Sequence, residues 1–184
     1  MKDKIITNKI LKWYDINKRS LPWRKKVSNK KKQYYTLVSE FMLQQTQVST
    51  VIPYFQKFIK NIPDLETLAN FNDQKLVKLW EGLGYYSRVR NLKKTAQVVV
   101  KDFNKNIPSN FQKLKSLPGI GDYTASAISA IAFNKPFIPL DGNIERVLKR
   151  YLYLKKKHQI SKENLHEKKK YLAYHLDLVI MLKH

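Results

Sequence analysis

Apolar side chains recur every three or four residues along most of the chain, which is the pattern of amphipathic helices. A first helix is predicted with Ile6, Ile10, Trp13 and Tyr14 on one face, ending before Pro22 because proline has no backbone N–H to donate. Strict alternation of β-branched and polar residues, which would indicate strands, is weak throughout. We therefore expect an all-α fold of about nine to eleven short helices. After the first, they are predicted at 35–58, 65–80 (two helices), 92–103, 111–117, 123–133 and 144–154.

Proline and glycine mark the breaks between these helices. Pro53 is expected to start or kink a segment of the 35–58 stretch, and glycines interrupt the pattern at 82–84 and at 117–121. Pro136 lies in an extended link before the last helix. No internal repeat or linker stands out, so the 184 residues suit one helical region, or two small lobes.

The charge balance indicates a polyanionic partner. The chain has 36 Lys+Arg against 14 Asp+Glu, a net charge of +22, which favours nucleic acid or an anionic membrane surface. An AT-rich genome also inflates lysine, so the lysine runs at 30–32, 155–157 and 168–170 are interpreted as solvated loops or helix faces. A hydrophobic content of 43% excludes disorder for most of the length.

Cysteine is absent, which excludes disulfides, a thiolate zinc site, an iron–sulfur cluster and a thiol nucleophile within these residues. No apolar run approaches the roughly 18 to 20 residues of a membrane span. The first residues lack the pattern of a signal peptide. We expect a cytoplasmic protein, associated with the nucleoid if bacterial, without a metal site and without a membrane partner.

The stretch at 117–121 between two predicted helices is the first candidate binding element. Gly119 and Gly121 allow a tight turn that exposes backbone N–H groups, and the helix that follows adds its positive end. Such a turn can seat a phosphate. A plain helical corner without a ligand is the alternative, and the net charge favours the phosphate. The surrounding helical hairpin is predicted at about 112–133.

Glu40 is a candidate proton donor. It lies in an otherwise apolar run, and burial disfavours the charged form of a carboxyl group. The alternative is a surface glutamate paired with a basic residue. The Gln-Gln-Thr-Gln stretch at 44–47 supplies amides suited to base edges or to a gap in a base stack; a polar helix face would explain it equally well.

Asp141 is the second candidate carboxylate. It stands where an extended segment meets a helix, so one interpretation is a simple N-cap. The other is an ionised carboxylate that stabilises a cation, and the two are compatible. A proton donor with an ionised partner suits hydrolysis of a glycosidic bond, whose transition state resembles an oxocarbenium ion.

Five blocks in order, at 21–24, 39–47, 82–88, 117–121 and 140–143, resemble the catalytic domain of MutY-type adenine DNA glycosylases. The resemblance runs from about residue 10 to residue 154. That family belongs to the endonuclease III-like helix-hairpin-helix superfamily. The resemblance implies two helical lobes with the active site between them, and removal of adenine mispaired with 8-oxoguanine or guanine after the base is flipped out of duplex DNA.

The resemblance also implies roles for single residues. Glu40 would protonate adenine at N7 and later activate water, and Asp141 would stabilise the cationic sugar, through a transient covalent bond to it. Tyr123 and Asn143 would position these carboxylates. Gln45 and Tyr85 would wedge into the base stack, Trp23, Arg24 and Leu43 would line the pocket, and the hairpin would hold a phosphate. The full set of expected DNA-binding or base-binding residues is Trp23, Arg24, Leu43, Gln44, Gln45, Tyr85, Arg88, Pro118, Gly119, Ile120 and Gly121.

Endonuclease III-type relatives place a nucleophilic lysine where Tyr123 stands, and tyrosine cannot form a Schiff base with the sugar. A monofunctional glycosylase acting as a monomer on mispaired DNA is therefore expected. The family usually continues into a [4Fe–4S] loop and a domain that recognises 8-oxoguanine, and we expect both to be missing here. Two alternatives stay open: a glycosylase for oxidised pyrimidines, and a truncated, inactive DNA-binding remnant.

Overall fold

The computed structural model describes residues 2–151, and every regular element in that range is helical. The all-α prediction is confirmed for this part of the chain, and none of its helices is long and apolar enough to cross a membrane. The predicted helix end at residue 154 and the lysine runs at 155–157 and 168–170 lie outside the described residues. The elements are α1 (Lys2–Asn17), a 3₁₀ turn (Pro22–Arg24), α2 (Asn29–Leu43), α3 (Val48–Asn61), α4 (Leu65–Asn70), α5 (Asp73–Trp80), α6 (Ser87–Asp102), α7 (Phe111–Lys115), α8 (Asp122–Phe133) and α9 (Gly142–Tyr151).

The stretch predicted as one helical pattern at 35–58 is two helices, and the break is not at Pro53. Pro53 lies inside α3. The chain turns at 44–47 instead, where Gln45 has a left-handed backbone with φ of 59°. The glutamine-rich stretch is therefore a loop between α2 and α3 rather than a polar helix face.

Helix α2 is the centre of the described fold. It packs against α8 and also against α3, α6 and the 3₁₀ turn. Its residues 36–42 are all buried, and the neighbouring α8 is rich in small buried side chains such as Ala125, Ala127 and Ser129. Small side chains let two helices approach closely. A polar residue in this buried part of α2, such as Glu40, is therefore surrounded by protein.

The first helix differs from its prediction. Trp13 and Ile16 are 62% and 83% exposed. The apolar face predicted for this helix is therefore not buried at Trp13. Tyr14 is half-buried, and its hydroxyl accepts a hydrogen bond from Arg24 Nη1 at 2.9 Å. Contact through Tyr14 brings α1 to the 3₁₀ turn.

Candidate active site

Glu40 lies near the last turn of α2 and is 5% exposed. It lines a pocket of about 390 Å³ together with Tyr14, Trp23 and Arg24. The expected burial is confirmed, and the alternative of a solvent-exposed helix-surface glutamate is wrong. A carboxyl group that is itself buried but lines a pocket can exchange a proton with a ligand bound there.

Trp23 and Arg24 form one wall of this pocket because the 3₁₀ turn presses against α2 and α3. The Trp23 ring packs edge-on against Phe55, with ring centroids 5.3 Å apart, which fixes the wall. Burial lowers the pKa of Arg24, and the neighbouring Tyr14 and Glu40 oppose that shift. Arg24 therefore lies within electrostatic reach of Glu40. Tyr14 is a pocket residue that the sequence did not single out, because its place depends on the tertiary contact with Arg24.

Asp141 stands directly before α9, at the end of the link that contains Pro136. One of its carboxylate oxygens accepts hydrogen bonds from the backbone N–H groups of Asn143 and Ile144, at 3.0 and 2.8 Å. The N-cap interpretation is confirmed. Two N–H donors at a helix start stabilise a negative charge, so the cap also prepares an anionic carboxylate.

Tyr123 lies within electrostatic range of both carboxyl groups. Burial, and then the negative charges of Glu40 and Asp141, raise the pKa of its phenol well above the usual value. Both carboxyl groups are thus close enough to act on one hydroxyl group. The phenol therefore stays protonated over the physiological range and can donate a hydrogen bond. Because it is not an amine, it cannot form a Schiff base with a sugar.

A wider cleft of about 680 Å³ lies on the Asp141 side of Tyr123. Gln45 and Tyr85 line it, each from a loop with a left-handed backbone, with φ of 59° and 46°. The Tyr85 side chain is 64% exposed. Most of the residues predicted to touch DNA are brought together here: Leu43, Gln44, Gln45, Tyr85, Arg88, Gly119 and Gly121. Leu43 thus lines this cleft and not the Glu40 pocket.

The hairpin between α7 and α8 turns at Gly119, whose φ is +75°. A Cβ there would lie 2.8 Å from Asn91 Cβ and 2.9 Å from a ring carbon of Phe41. The turn is also fixed by Thr95, whose hydroxyl donates to the Pro118 carbonyl at 2.8 Å. The hairpin is thus pressed against α2 and α6, and only glycine fits at this position.

Ile120 is less suited to phosphate binding than predicted. Its side chain is 4% exposed, and its backbone N–H donates to the Leu117 carbonyl at 3.2 Å. Pro118 has no N–H to offer. Gly119 and Gly121 are the exposed hairpin residues that remain for a phosphate.

Arg88 is also placed differently from its prediction. It is 6% exposed, and its guanidinium donates to the Gln44 and Leu83 carbonyls of two loops, so it is turned into the protein and not toward a DNA phosphate. Asn143 contacts Asp141 through its backbone, while its side-chain oxygen accepts a hydrogen bond from Arg146 at 3.0 Å. Gln44 donates to Thr124 at 3.4 Å, which ties the loop after α2 to α8.

Over residues 2–151 the fold is helical, with a glycine hairpin, one carboxyl group in a pocket and a second at a neighbouring cleft, which is typical of a helix-hairpin-helix class of protein. The model of the HhH-GPD superfamily base excision DNA repair proteins matches residues 38–171, which is most of the chain. The chain belongs to this superfamily.

Curated relatives carry the name adenine DNA glycosylase. The protein of Buchnera aphidicola subsp. Baizongia pistaciae is 48% identical over 143 residues, which cover 77% of this chain and 40% of the relative. That of Rattus norvegicus is 45% identical over 144 residues, 76% of this chain and 28% of the relative. The human protein is 44% identical, over 76% of this chain and 26% of the relative. The chain thus spans less than half the length of these relatives.

Solved structures share the fold. A thermostable thymine-DNA glycosylase superposes with a TM-score of 0.76 at 25% identity, covering 97% of this chain and 83% of that one. Endonuclease III in a non-covalent DNA complex gives 0.75 at 17% identity, covering 98% and 82%. The second likeness shows the fold alone.

Endonuclease III-like proteins commonly hold an iron–sulfur cluster, but this chain does not offer its ligands. A [4Fe–4S] cluster is bound by four cysteine thiolates, and the 184 residues contain no cysteine. Within 2–151, no group of three or more histidine, aspartate or glutamate side chains could hold a metal ion.

Proposed function

We propose that the chain is the catalytic part of a DNA glycosylase that removes adenine mispaired with 8-oxoguanine or guanine. The observation that carries this proposal is the pair of carboxyl groups whose charges both act on Tyr123, one buried beside a pocket and one capping a helix. Hydrolysis of an N-glycosidic bond needs a proton for the leaving base and a negative charge beside the sugar cation. The names of the curated relatives support adenine as the base.

In this mechanism a protonated Glu40 donates its proton to N7 of a flipped adenine. The bond between N9 and the sugar C1′ breaks, its electron pair goes to the base, and the sugar becomes an oxocarbenium ion. The Asp141 carboxylate stabilises that cation, through a transient covalent bond to C1′. Water then adds to C1′ as the bond between C1′ and Asp141 breaks, and the electron pair of that bond returns to the Asp141 carboxylate. The water gives its proton to Glu40, which restores the starting state.

The pocket beside Glu40 is the proposed adenine site. Its volume of about 390 Å³ falls in the range of small-molecule pockets, roughly 300–1,000 Å³. Trp23 offers an aromatic wall, and Arg24 offers donors to ring nitrogens. From the cleft side, Gln45 and Tyr85 would fill the space that the flipped base leaves, and Gly119 and Gly121 would donate to a backbone phosphate.

Double-stranded DNA containing A:8-oxoguanine or A:G is the proposed partner. The net charge of +22 supports binding to a polyanion, and such binding weakens steeply with salt. We propose that the chain acts as a monomer in the cytoplasm. Its monomeric state can be checked by light scattering of the free protein and of its complex with a short duplex.

The experiment that tests the function uses a duplex with one adenine opposite 8-oxoguanine and a control duplex with that adenine opposite thymine. We expect alkali-dependent cleavage at the mispaired adenine only, and no adduct after borohydride reduction because position 123 is not a lysine. A borohydride-trapped adduct would favour the oxidised-pyrimidine alternative. DNA binding without abasic sites at any enzyme excess, and without preference for the mispair, would favour the inactive remnant.

A further inference from the structure

Two loops enter the cleft, and one side chain holds both of them. We call residues 44–47, between α2 and α3, the glutamine loop, and residues 81–86, between α5 and α6, the tyrosine loop. Each carries a proposed wedge residue, Gln45 or Tyr85, in a left-handed backbone conformation. Non-glycine residues adopt this conformation only at a cost in free energy, so other contacts must hold the loops in place.

Arg88, in the first turn of α6, supplies those contacts. Its Nη1 donates to the glutamine loop, to the Gln44 carbonyl and to the Thr46 hydroxyl at 3.1 Å. Its Nη2 donates to the tyrosine loop, to the carbonyls of Leu83 and Gly84 at 2.8 and 3.2 Å. Each terminal nitrogen therefore serves one loop, and the rigid plane of the guanidinium fixes the distance between them.

The same guanidinium also reaches the end of α2. Nη1 also lies 2.8 Å from the Met42 carbonyl oxygen and 3.3 Å from the Phe41 carbonyl oxygen, so its two N–H groups are shared between the glutamine loop and the end of α2. The last carbonyls of a helix have no partner within it, so Arg88 completes the C-terminus of the helix that carries Glu40. Its charged group also lies 5.5 Å from the centre of the Tyr85 ring, which links it directly to the wedge side chain.

We propose that Arg88 is a positioning residue that couples the glutamine loop to the tyrosine loop, so that Gln45 and Tyr85 enter a duplex together and in register with Glu40. The proposal rests on the proposed function for its duplex, but the coupling of the loops is a property of the free protein. In the described chain, the partners of the buried guanidinium are carbonyl oxygens and a hydroxyl, which a methionine cannot satisfy.

Hydrogen exchange of the free protein tests the coupling without DNA. In Arg88→Met we expect amides at both 43–48 and 82–88 to exchange about tenfold faster or more. Lys93→Met is the matched control, because Lys93 on the same helix donates to the Phe71 carbonyl at 2.7 Å and pairs with Asp73, away from both loops. The control should accelerate exchange near 71–73 only. Acceleration in one loop alone, or in neither, would overturn the coupling.

Base extrusion tests what the coupling does. In an inactive Glu40→Gln background, fluorescence of 2-aminopurine at the mispaired position reports unstacking in a duplex. Gln45→Ala and Tyr85→Ala should be non-additive by about fivefold when Arg88 is present and additive in Arg88→Met. Unchanged non-additivity would overturn the proposal. If the parent shows no extrusion at all, the proposed function fails, while the exchange experiment still decides the coupling.

Arg88→Lys keeps the charge and guards against loss of the fold. A single ammonium nitrogen cannot serve both loops in the arginine geometry, so the folded Lys variant should protect one loop at most and should also lose the non-additivity. A lysine variant that retains both properties would contradict the fork-like role of Arg88.

Discussion

The two carboxyl groups of the site are held in opposite ways. Glu40 belongs to a helix whose neighbouring side chains are buried on every side, and its place is set by core packing. Asp141 follows an extended link, and its place is set by two backbone N–H groups at the start of α9. The comparison teaches that packing can take a carboxyl group out of water for proton donation, whereas a helix start keeps one charged.

The strongest way to break this comparison is Glu40→Gln. Glutamine keeps the shape and the burial but has no proton to donate, so single-turnover adenine release should fall about 1,000-fold or more. DNA affinity should stay within about threefold, because the amide adds no charge to the binding surface. Rapid quench and fluorescence anisotropy measure the two quantities. A glutamine variant with more than a tenth of the wild-type rate would exclude Glu40 as the proton donor.

Two substitutions at Asp141 distinguish its role as a helix cap from its role in catalysis. Asparagine is as good an N-cap as aspartate, so Asp141→Asn should leave thermal stability nearly unchanged while the rate falls about 100-fold or more. Asp141→Ala should lose the same activity and also about 1 kcal/mol of unfolding free energy. Urea unfolding and single-turnover kinetics check both. If asparagine retained activity, the carboxylate would serve only as a cap.

Substitutions at two glycines compare how tightly the protein packs around Glu40 and around Asp141. Gly119→Ala places a methyl group against Phe41, the neighbour of Glu40, at a positive φ, and should cost about 2–3 kcal/mol of unfolding free energy. Gly142→Ala, beside Asp141, meets no atom within 4 Å and should change stability by less than about 0.5 kcal/mol. Equal effects in urea titrations would contradict the view that only Glu40 depends on tight packing.

The smallest effect concerns Tyr123. Its pKa is raised in the folded protein, so above pH about 10, its ordinary pKa, the unfolded chain loses a proton that the folded protein retains. Stability should therefore fall as pH rises through that region, and Tyr123→Phe should fall less steeply. Unfolding titrations at pH 8 and pH 11 measure the difference. If the unfolding free energies of the wild type and Tyr123→Phe depended on pH in the same way, the phenol would be neither buried nor close to the two carboxylates.

Local patterns were enough to predict most helices. The two short helices at 65–80 and the glycine break after them depend on near neighbours in sequence, and the structure has them as α4, α5 and the turn that follows. Pro53 did not mark the break because α3 continues through it, while the loop at the real break is held by Arg88, which donates to the Gln44 carbonyl 44 positions earlier. A contact over that distance leaves no periodic signal.

Site residues were predictable from the sequence where their role depends on residues close to them along the chain. Glu40 in an apolar run and Asp141 before a helix both follow from neighbouring residues. The inward turn of Arg88, the internal hydrogen bond of Ile120 and the part of Tyr14 in the pocket depend on tertiary packing. A basic residue in a basic chain gives no sign of whether it faces a phosphate or a carbonyl group.

The central claim is that Glu40 and Asp141 act on one glycosidic bond. Single-turnover adenine release by the double variant Glu40→Gln with Asp141→Asn tests it most directly, because groups that act together are non-additive. We predict a rate within about threefold of Glu40→Gln alone. A double variant slowed by the product of the two single effects, or a wild type that releases no adenine, would contradict the claim.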